Sequence, residues 1–362
     1  MKSRWMALAC AALCSSGCTE DDFAPVSRIS SVRILAAQAN KPYAQPGDDI
    51  RLRLLADDGS IEPLEGAEGE GGADGASSLK YYWLKTPCQN PLGDLYYACY
   101  PGFAATFQPG EELHPARSND KFLVDDALEF RLPADIITSH PPVEGSVPFG
   151  SVFAFAMACD GDHVRYLGLR IRPSPQSPPF GCFASDGTQL GSEHFVFAFA
   201  RVYAFQERVN QNPIIERLTF NGQTLERADL DCPAKSGSGG ADAGADPDGG
   251  AAGCRTFSVL RCTEDSSDDC PKVDVDVSVP PESQESDPSS DRGREQVWVN
   301  YYATGGKFEQ EARLLYDVNE GRLGDTGAEF FTPRTPGKHR LWAVVHDNRG
   351  GVEWVEATLV VE

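Results

Sequence analysis

Apolar and polar residues alternate one by one through several short stretches of the chain. In DIRLRL, residues 49–54, Ile50, Leu52 and Leu54 fall on one side and Arg51 and Arg53 on the other. Val273, Val275, Val277 and Val279 alternate with Asp274, Asp276 and Ser278 in the same way. A period of two predicts strands with one buried face, as in antiparallel sheets. Two longer runs, VFAFAMA at 152–158 and FVFAFARVYAF at 195–205, are apolar on both sides. The second could be a buried helix, but its aromatic and β-branched content favours a strand. Both runs are predicted to be central strands.

The predicted elements recur in the same order. A strand opens at Ser27–Ala37 and another at Pro213–Phe220. DIRLRLLAD is echoed by KVDVDVSV, LKYYWLK (79–85) by VWVNYYATGG (297–306), and LEFRLPAD (128–135) by AEFFTPRTPG (328–337). VFAFAMACDGDHV (152–164) is echoed by RLWAVVHDNRGGV (340–352). Short strands with turns between them argue for two β-sandwiches. NQNPI at 210–214 is the expected joint, because Asn and Pro break regular structure. The boundaries follow: 28–209 for the first sandwich with its insertions, and 210–362 for the second.

Composition adds acidic interruptions to this layout. The chain has 362 residues, 35 Gly, 26 Pro and a net charge of −22. Residues 57–75 are acidic with no Lys or Arg, residues 235–253 are a Gly/Ala/Asp-rich loop, and 280–294 is similar. None can bury much apolar surface. So acidic a surface repels nucleic acid and anionic headgroups.

The N-terminus changes the picture of where the chain acts. Lys2 and Arg4 precede an apolar stretch, WMALACAALC, then Ser15, Ser16, Gly17 and Cys18. Ten apolar residues are too few to span a bilayer, which takes about 20. Residues 1–17 read as an export signal, with an ordinary cleaved signal or a short buried helix as the plainer alternatives. The stretch resembles a bacterial lipoprotein signal, although Ser15 stands where Leu is usual. That resemblance implies a lipid on Cys18, a tether over 18–27 and, with Thr19 rather than Asp next in line, delivery to the outer membrane. The expected location is the cell envelope, facing periplasm or cell surface, with the anchor as the membrane contact.

Cysteine usage agrees with export. Of 11 cysteines, Cys10 and Cys14 leave with the signal and Cys18 takes the lipid. Cys88, Cys99, Cys159, Cys182, Cys232, Cys254, Cys262 and Cys270 remain, an even set suited to disulfides in an oxidising space. No C-x-x-C occurs, which argues against zinc. Short separations favour 88–99 and 159–182. If CRTFSVLRC is one extended strand, Cys254 and Cys262 stand about 26 Å apart, too far for a bond; of the two connectivities left, 232–254 with 262–270 is favoured over 232–262 with 254–270.

The C-terminal pattern PGKHRLWAVVHDNRGGVEW resembles immunoglobulin-like domains of the PKD and cadherin-like kind. The whole layout is similar to bacterial surface lipoproteins with tandem domains of that sort. The resemblance implies modules for display, spacing or adhesion, with no catalytic residues and no cofactor. The expected fold is thus all-β, two tandem antiparallel immunoglobulin-like sandwiches after a signal peptide. An envelope protein or a glycan is the expected partner.

Chemistry-bearing residues are sparse. Neither a G-x-S-x-G elbow, an H-E-x-x-H helix nor a P-loop occurs. A Ser/His/Asp hydrolase would have to assemble from the six histidines, His114, His140, His163, His194, His339 and His346. Weak calcium candidates are Asp160 and Asp162 in CDGDH and Asp347 and Asn348 in HDNRGG, which occupy equivalent turns. Tight turns want the same residues for their own sake. Tyr81, Tyr82, Trp83, Tyr96, Tyr97, Tyr100 and Phe103 cluster around Cys88 and Cys99. Trp83 and Trp298 are expected between the sheets, and the 96–103 loop as a possible partner surface.

Overall fold

The computed structural model describes residues 25–64, 79–143, 145–169, 178–227, 256–264, 269–286 and 293–362. It is an all-β protein whose single α-helix among the described residues is Tyr100–Thr106. Cys18, Cys232 and Cys254 lie outside the described residues, as does the 235–253 loop.

The repeated pattern becomes repeated topology. In the first half Arg33–Ala39, Asp49–Asp57 and Ala127–Arg131 form one antiparallel sheet in that order. In the second half Arg217–Phe220, Lys272–Ser278 and Ala328–Phe331 follow the same order, with Gln223–Glu226 and Lys307–Phe308 added at the edges. The opposing sheet of the first half runs Tyr43–Ala44, Phe195–Phe205, Phe149–Cys159, Lys80–Leu84, Phe122–Val124. Its counterpart runs Thr256–Val259, Val352–Val361, Gly337–Asp347, Val297–Ala303, Ala312–Asp317, Gly321–Arg322. Even the odd strand matches: Tyr43–Ala44 and Thr256–Val259 each pair parallel with the last long strand of their sheet. Two opposed antiparallel sheets in each half give the immunoglobulin-like architecture.

The second half has one core between its two sheets. Leu218, Phe220, Val275, Val277 and Phe330 meet Val297, Val299, Tyr301, Leu341, Val345 and Leu359 there. The alternation of Val297–Ala303 decides the place of Trp298. Val297, Val299 and Tyr301 are fully buried, so Trp298 points the other way, half-exposed and stacked on His346 at 5.3 Å. This corrects the expectation that Trp298 packs between the sheets: burying it would expose three apolar neighbours. Trp83 does lie in the first core, at 0% exposure.

The first half has three layers rather than two. Its long sheet is covered on both faces. Val152, Ala154 and Ala156 meet Ile50, Leu52, Leu54 and Leu128 on one side. On the other, Phe153, Phe155 and Met157 meet Tyr100, Phe103, Phe107, Val164, Tyr166 and Phe180. The extra layer is a small sheet of Glu112–Leu113, His163–Tyr166 and Phe180–Phe183 together with the helix. Strands buried on both faces need continuous apolar sequence, which is the physical reason for VFAFAMA; FVFAFA is only half-buried and, contrary to the expectation of a central strand, has a strand beyond it only at Tyr203 and Ala204 among the described residues. Disulfides pin this layer to the sheet: Cys88–Cys99 and Cys159–Cys182, with Cα atoms 5.8 and 5.7 Å apart. A third, Cys262–Cys270, closes a short loop of the second half.

The halves are locked together. Ile29, Leu35, Ala36 and Leu55 share an apolar cluster with Trp342, Val344 and Val352. The joint residues are hydrogen-bonded to both sides: Asn212 Nδ2 donates to the Ala39 carbonyl at 2.7 Å and its Oδ1 accepts from Val352 N at 3.0 Å. Arg340 of the second half reaches Asp57 at 2.8 Å and the Ser60 carbonyl at 3.1 Å in the first. Ser27 is buried and its hydroxyl donates to Glu311 at 3.0 Å. Ile29 N donates to the Ala303 carbonyl at 2.8 Å, so the chain entering the first half rests on the second.

Candidate functional site: an aromatic groove and the charged joint

The strand Phe195–Phe205 sets the groove. Its period of two puts Phe195, Phe197 and Phe199 on one face. Phe199 is 37% exposed, unusual for a phenylalanine in a sheet. Tyr96, held after Cys88 by the 88–99 disulfide, stacks on it at 4.3 Å. Tyr100 and Phe180, both buried, form the floor against Phe197, at 6.0 and 5.7 Å. Leu167, Gln189 and Ser192 complete the walls of a cavity of about 520 Å³. That volume suits a short peptide or one small ligand. Burial, with Tyr96 beside it, pushes the Tyr100 hydroxyl up to about 12, so it stays protonated at any physiological pH. The loop expected as a partner surface is therefore split: Tyr100 and Phe103 are core, and Tyr96 and Tyr97 are half-buried.

The calcium candidates are drawn apart. Asp160 accepts from His194 Nδ1 at 2.9 Å, whereas Asp162 turns to His163 at 3.3 Å. Asn348 Oδ1 accepts from Gln296 N at 3.1 Å, and its own N donates back to the Gln296 carbonyl at 3.1 Å, tying its turn to the start of Val297–Ala303. Asp347 is buried, taking hydrogen bonds from the backbone N–H groups of Arg349 and Gly351 and from Asn210. Among the described residues, no cluster of three or more His, Cys, Asp or Glu is arranged to hold a metal ion. Nor does any histidine there meet both a nucleophile and a carboxylate. His140 lies 3.2 Å from Asp94, but Ser151 donates to Asp94 and not to His140. The His339 ring is hydrogen-bonded to the Thr304 hydroxyl and the Thr335 carbonyl.

The joint carries a charge cluster that the sequence pattern does not reveal. Arg349, 8% exposed at its side chain, pairs with Glu295 and with Glu285 at 2.8 Å, and lies over the Tyr43 ring at 5.6 Å. Two carboxylates, Glu285 and Glu295, thus pair with one guanidinium, and a third, Asp347, lies near enough for its charge to act on Glu295. Burial, then the neighbouring Asp347 charge, pushes Glu295 up to about 7 against the pull of Arg349. Burial likewise pushes Asp57 up to about 7 despite Arg340, and raises Asp347. Only the spacing of residues 285, 295, 347 and 349 exists in the sequence, and nothing local marks them as neighbours.

These shifts carry a sign. A carboxyl with a raised folded pKa holds more protons folded than unfolded between the two values, so stability is greatest below the unfolded pKa and is lost as pH rises through the folded one. His194, raised by Asp160, acts in the same direction above its ordinary value. His346, lowered by burial to about 4, acts oppositely, but only below its ordinary 6.5. Unfolding free energy is therefore expected to fall as pH rises from about 6.5 to about 8, and Glu295→Gln should flatten that slope. Urea unfolding at constant salt measures both. A slope that rises or is unchanged by the substitution contradicts the assignment.

No protein-family model and no curated protein matches the sequence. Several solved structures resemble the chain weakly. Fibronectin(III)-like modules of Clostridium thermocellum CbhA share 11% identity over 91% of this chain and 94% of that one, with a TM-score of 0.20. Tandem Ig repeats of Dlar share 7% over 92% and 98%, with a TM-score of 0.21. The Yersinia pseudotuberculosis adhesin InvE shares 9% over 91% and 58%, with a TM-score of 0.17. At these scores no function is carried across. Among the described residues no helix is long and apolar enough to cross a membrane.

Proposed function

We propose that the chain is a lipid-anchored cell-envelope protein holding two locked β-sandwiches as a structural or protein-interaction unit, in display or adhesion, with no catalysis of its own. The observation that carries this is the lock: a shared apolar cluster, joint amides bonded to both halves, and Arg340 spanning to Asp57. Such a seam suits a spacer or presenting surface, which must keep its geometry at the end of a tether. The export-type start and Cys18 support the anchor, and two acyl chains there would attach the chain stably.

Expression with the native leader in a bacterial host tests this. The expected result is an acylated Cys18 in the N-terminal peptide by mass spectrometry, with the protein in the membrane fraction. Cys18→Ser should move it to the soluble fraction. A free thiol at position 18 would overturn the anchor. A second reading, a glycan- or peptide-binding surface module, is favoured by one feature, the groove beside Tyr96 and Phe199.

A further inference from the structure

The strand Phe195–Phe205 is paired along its whole length with Phe149–Cys159 on one side. On its other side, among the described residues, only Tyr203 and Ala204 meet a strand, the two-residue Tyr43–Ala44. Among the described residues, 195–202 therefore form an open sheet edge. In an antiparallel pair, alternate residues aim N–H and C=O at the neighbour and the rest aim them outward, so about half of this stretch offers unused backbone donors and acceptors.

Native edges are guarded by charges, prolines, bulges or covering elements. This one reads FVFAFA before the first charge at Arg201, and its register with Phe149–Cys159 is regular throughout. The molecule contains its own comparison. The equivalent strand of the second half, Val352–Val361, carries Glu353 and Glu356 and packs on the first half through Val352 and Trp354. The same position in the fold is guarded in one half and open in the other. The open edge also borders the aromatic groove, with Phe195, Phe197 and Phe199 facing into it.

We propose that this edge and groove take an extended peptide segment of another protein as an added strand. The proposal rests on the interaction reading above and deepens it. The outward backbone groups call for a strand. The groove calls for an apolar side chain at every second position of that strand, seated against Phe197, Phe199 and Tyr96. Charge selects among occupants. Each copy of this chain carries −22, and Glu193, 62% exposed at its side chain and 3.7 Å from His194, stands beside the groove residue Ser192. Two copies repel one another at this edge, whereas a segment with flanking Lys or Arg is drawn to it. The occupant is thus a basic partner segment of alternating apolar and polar residues.

The probe is a synthetic capped peptide, Lys-Phe-Thr-Val-Thr-Phe-Lys, titrated into the whole mature chain by calorimetry. Saturable binding is expected, weakened about tenfold for each N–H of the peptide that faces the edge when it is removed by N-methylation. It is expected to be lost in Phe199→Lys and kept in Leu260→Ser, a control at a site 75% exposed. Far-ultraviolet circular dichroism confirms that both variants fold. No binding at about 1 mM peptide, or equal binding of a same-composition scramble, overturns the proposal. So does binding of a soluble oligosaccharide in place of the peptide. A concentration-dependent dimer abolished by Phe199→Lys would assign the edge to a second copy, and binding seen only after residues 170–177 are replaced by Gly-Ser would assign it to the chain itself; either overturns it. The Cys18 acylation result is independent of all these outcomes, so the two proposals fail separately.

Discussion

Arg349→Met lowers the unfolding free energy by about 3–5 kcal/mol, the loss expected when one partner of a buried ion cluster is removed. Arg349 donates to Glu295, which is 1% exposed, and to Glu285, and its Nη1 reaches the Val209 carbonyl at 3.3 Å. Without the guanidinium, three carboxylates remain at the seam with no cation, and at least one must take a proton. The loss should therefore be larger at pH 8 than at pH 6. Arg349→Met combined with Glu295→Leu should recover much of it, because an apolar pair of similar volume avoids the stranded charge. Urea unfolding of the single and double variants tests both statements. A single variant within about 0.5 kcal/mol of the parent, the usual range for a neutral surface change, would mean that the cluster is solvated. The site also predicts where the damage appears. The Asn210–Asp347 and Gln211–Glu285 contacts belong to the same network, so the joint should become sensitive to protease before either core does.

Replacing Cys159 and Cys182 together by alanine should lower stability by about 3 kcal/mol, for a loop closed over this many residues. Both cysteines are fully buried among Phe155, Phe180 and Tyr166, so lost packing adds to the entropic part. The bond ties Phe180–Phe183 to the end of Phe149–Cys159, and Phe180 is the groove floor. The groove should open before the protein unfolds. Reduction or the double substitution is expected to raise binding of an apolar dye at denaturant concentrations where the circular dichroism is still native. Coincident transitions for dye and backbone would show instead that the third layer is as stable as the rest.

How much of this is legible in the residues differs from element to element. The alternation in DIRLRL and VDVDVSV identifies strands, and the spacing of those strands identifies the repeat, because period two and turn chemistry are local properties. The runs at 152–158 and 195–205 announce burial on two faces but not what does the covering. The covering layer is assembled from 96–113, 163–169 and 178–190, segments that look like insertions because each is too short to bury itself. Trp298 shows the limit of analogy between halves. Aligning it with Trp83 ignores register, and any odd offset in register exchanges the faces of a strand.

The charged joint and the open edge belong to the other category. Glu285, Glu295, Asp347 and Arg349 read singly as ordinary surface charges in an acidic chain. Their meeting depends on two sheets and a linker converging, and a desolvated carboxylate is defined by that convergence rather than by its own neighbours in sequence. The edge is hidden for a similar reason. FVFAFARV has the composition of a strand paired on both sides, and nothing local says that its second partner meets only Tyr203 and Ala204 among the described residues. Side-chain period, turn residues and cysteine separations are carried by adjacent residues and so can be read along the chain. Which strand lies outermost, which charge is cut off from water and which half covers the other depend on contacts between residues far apart in sequence, and those exist only once the sheets have packed.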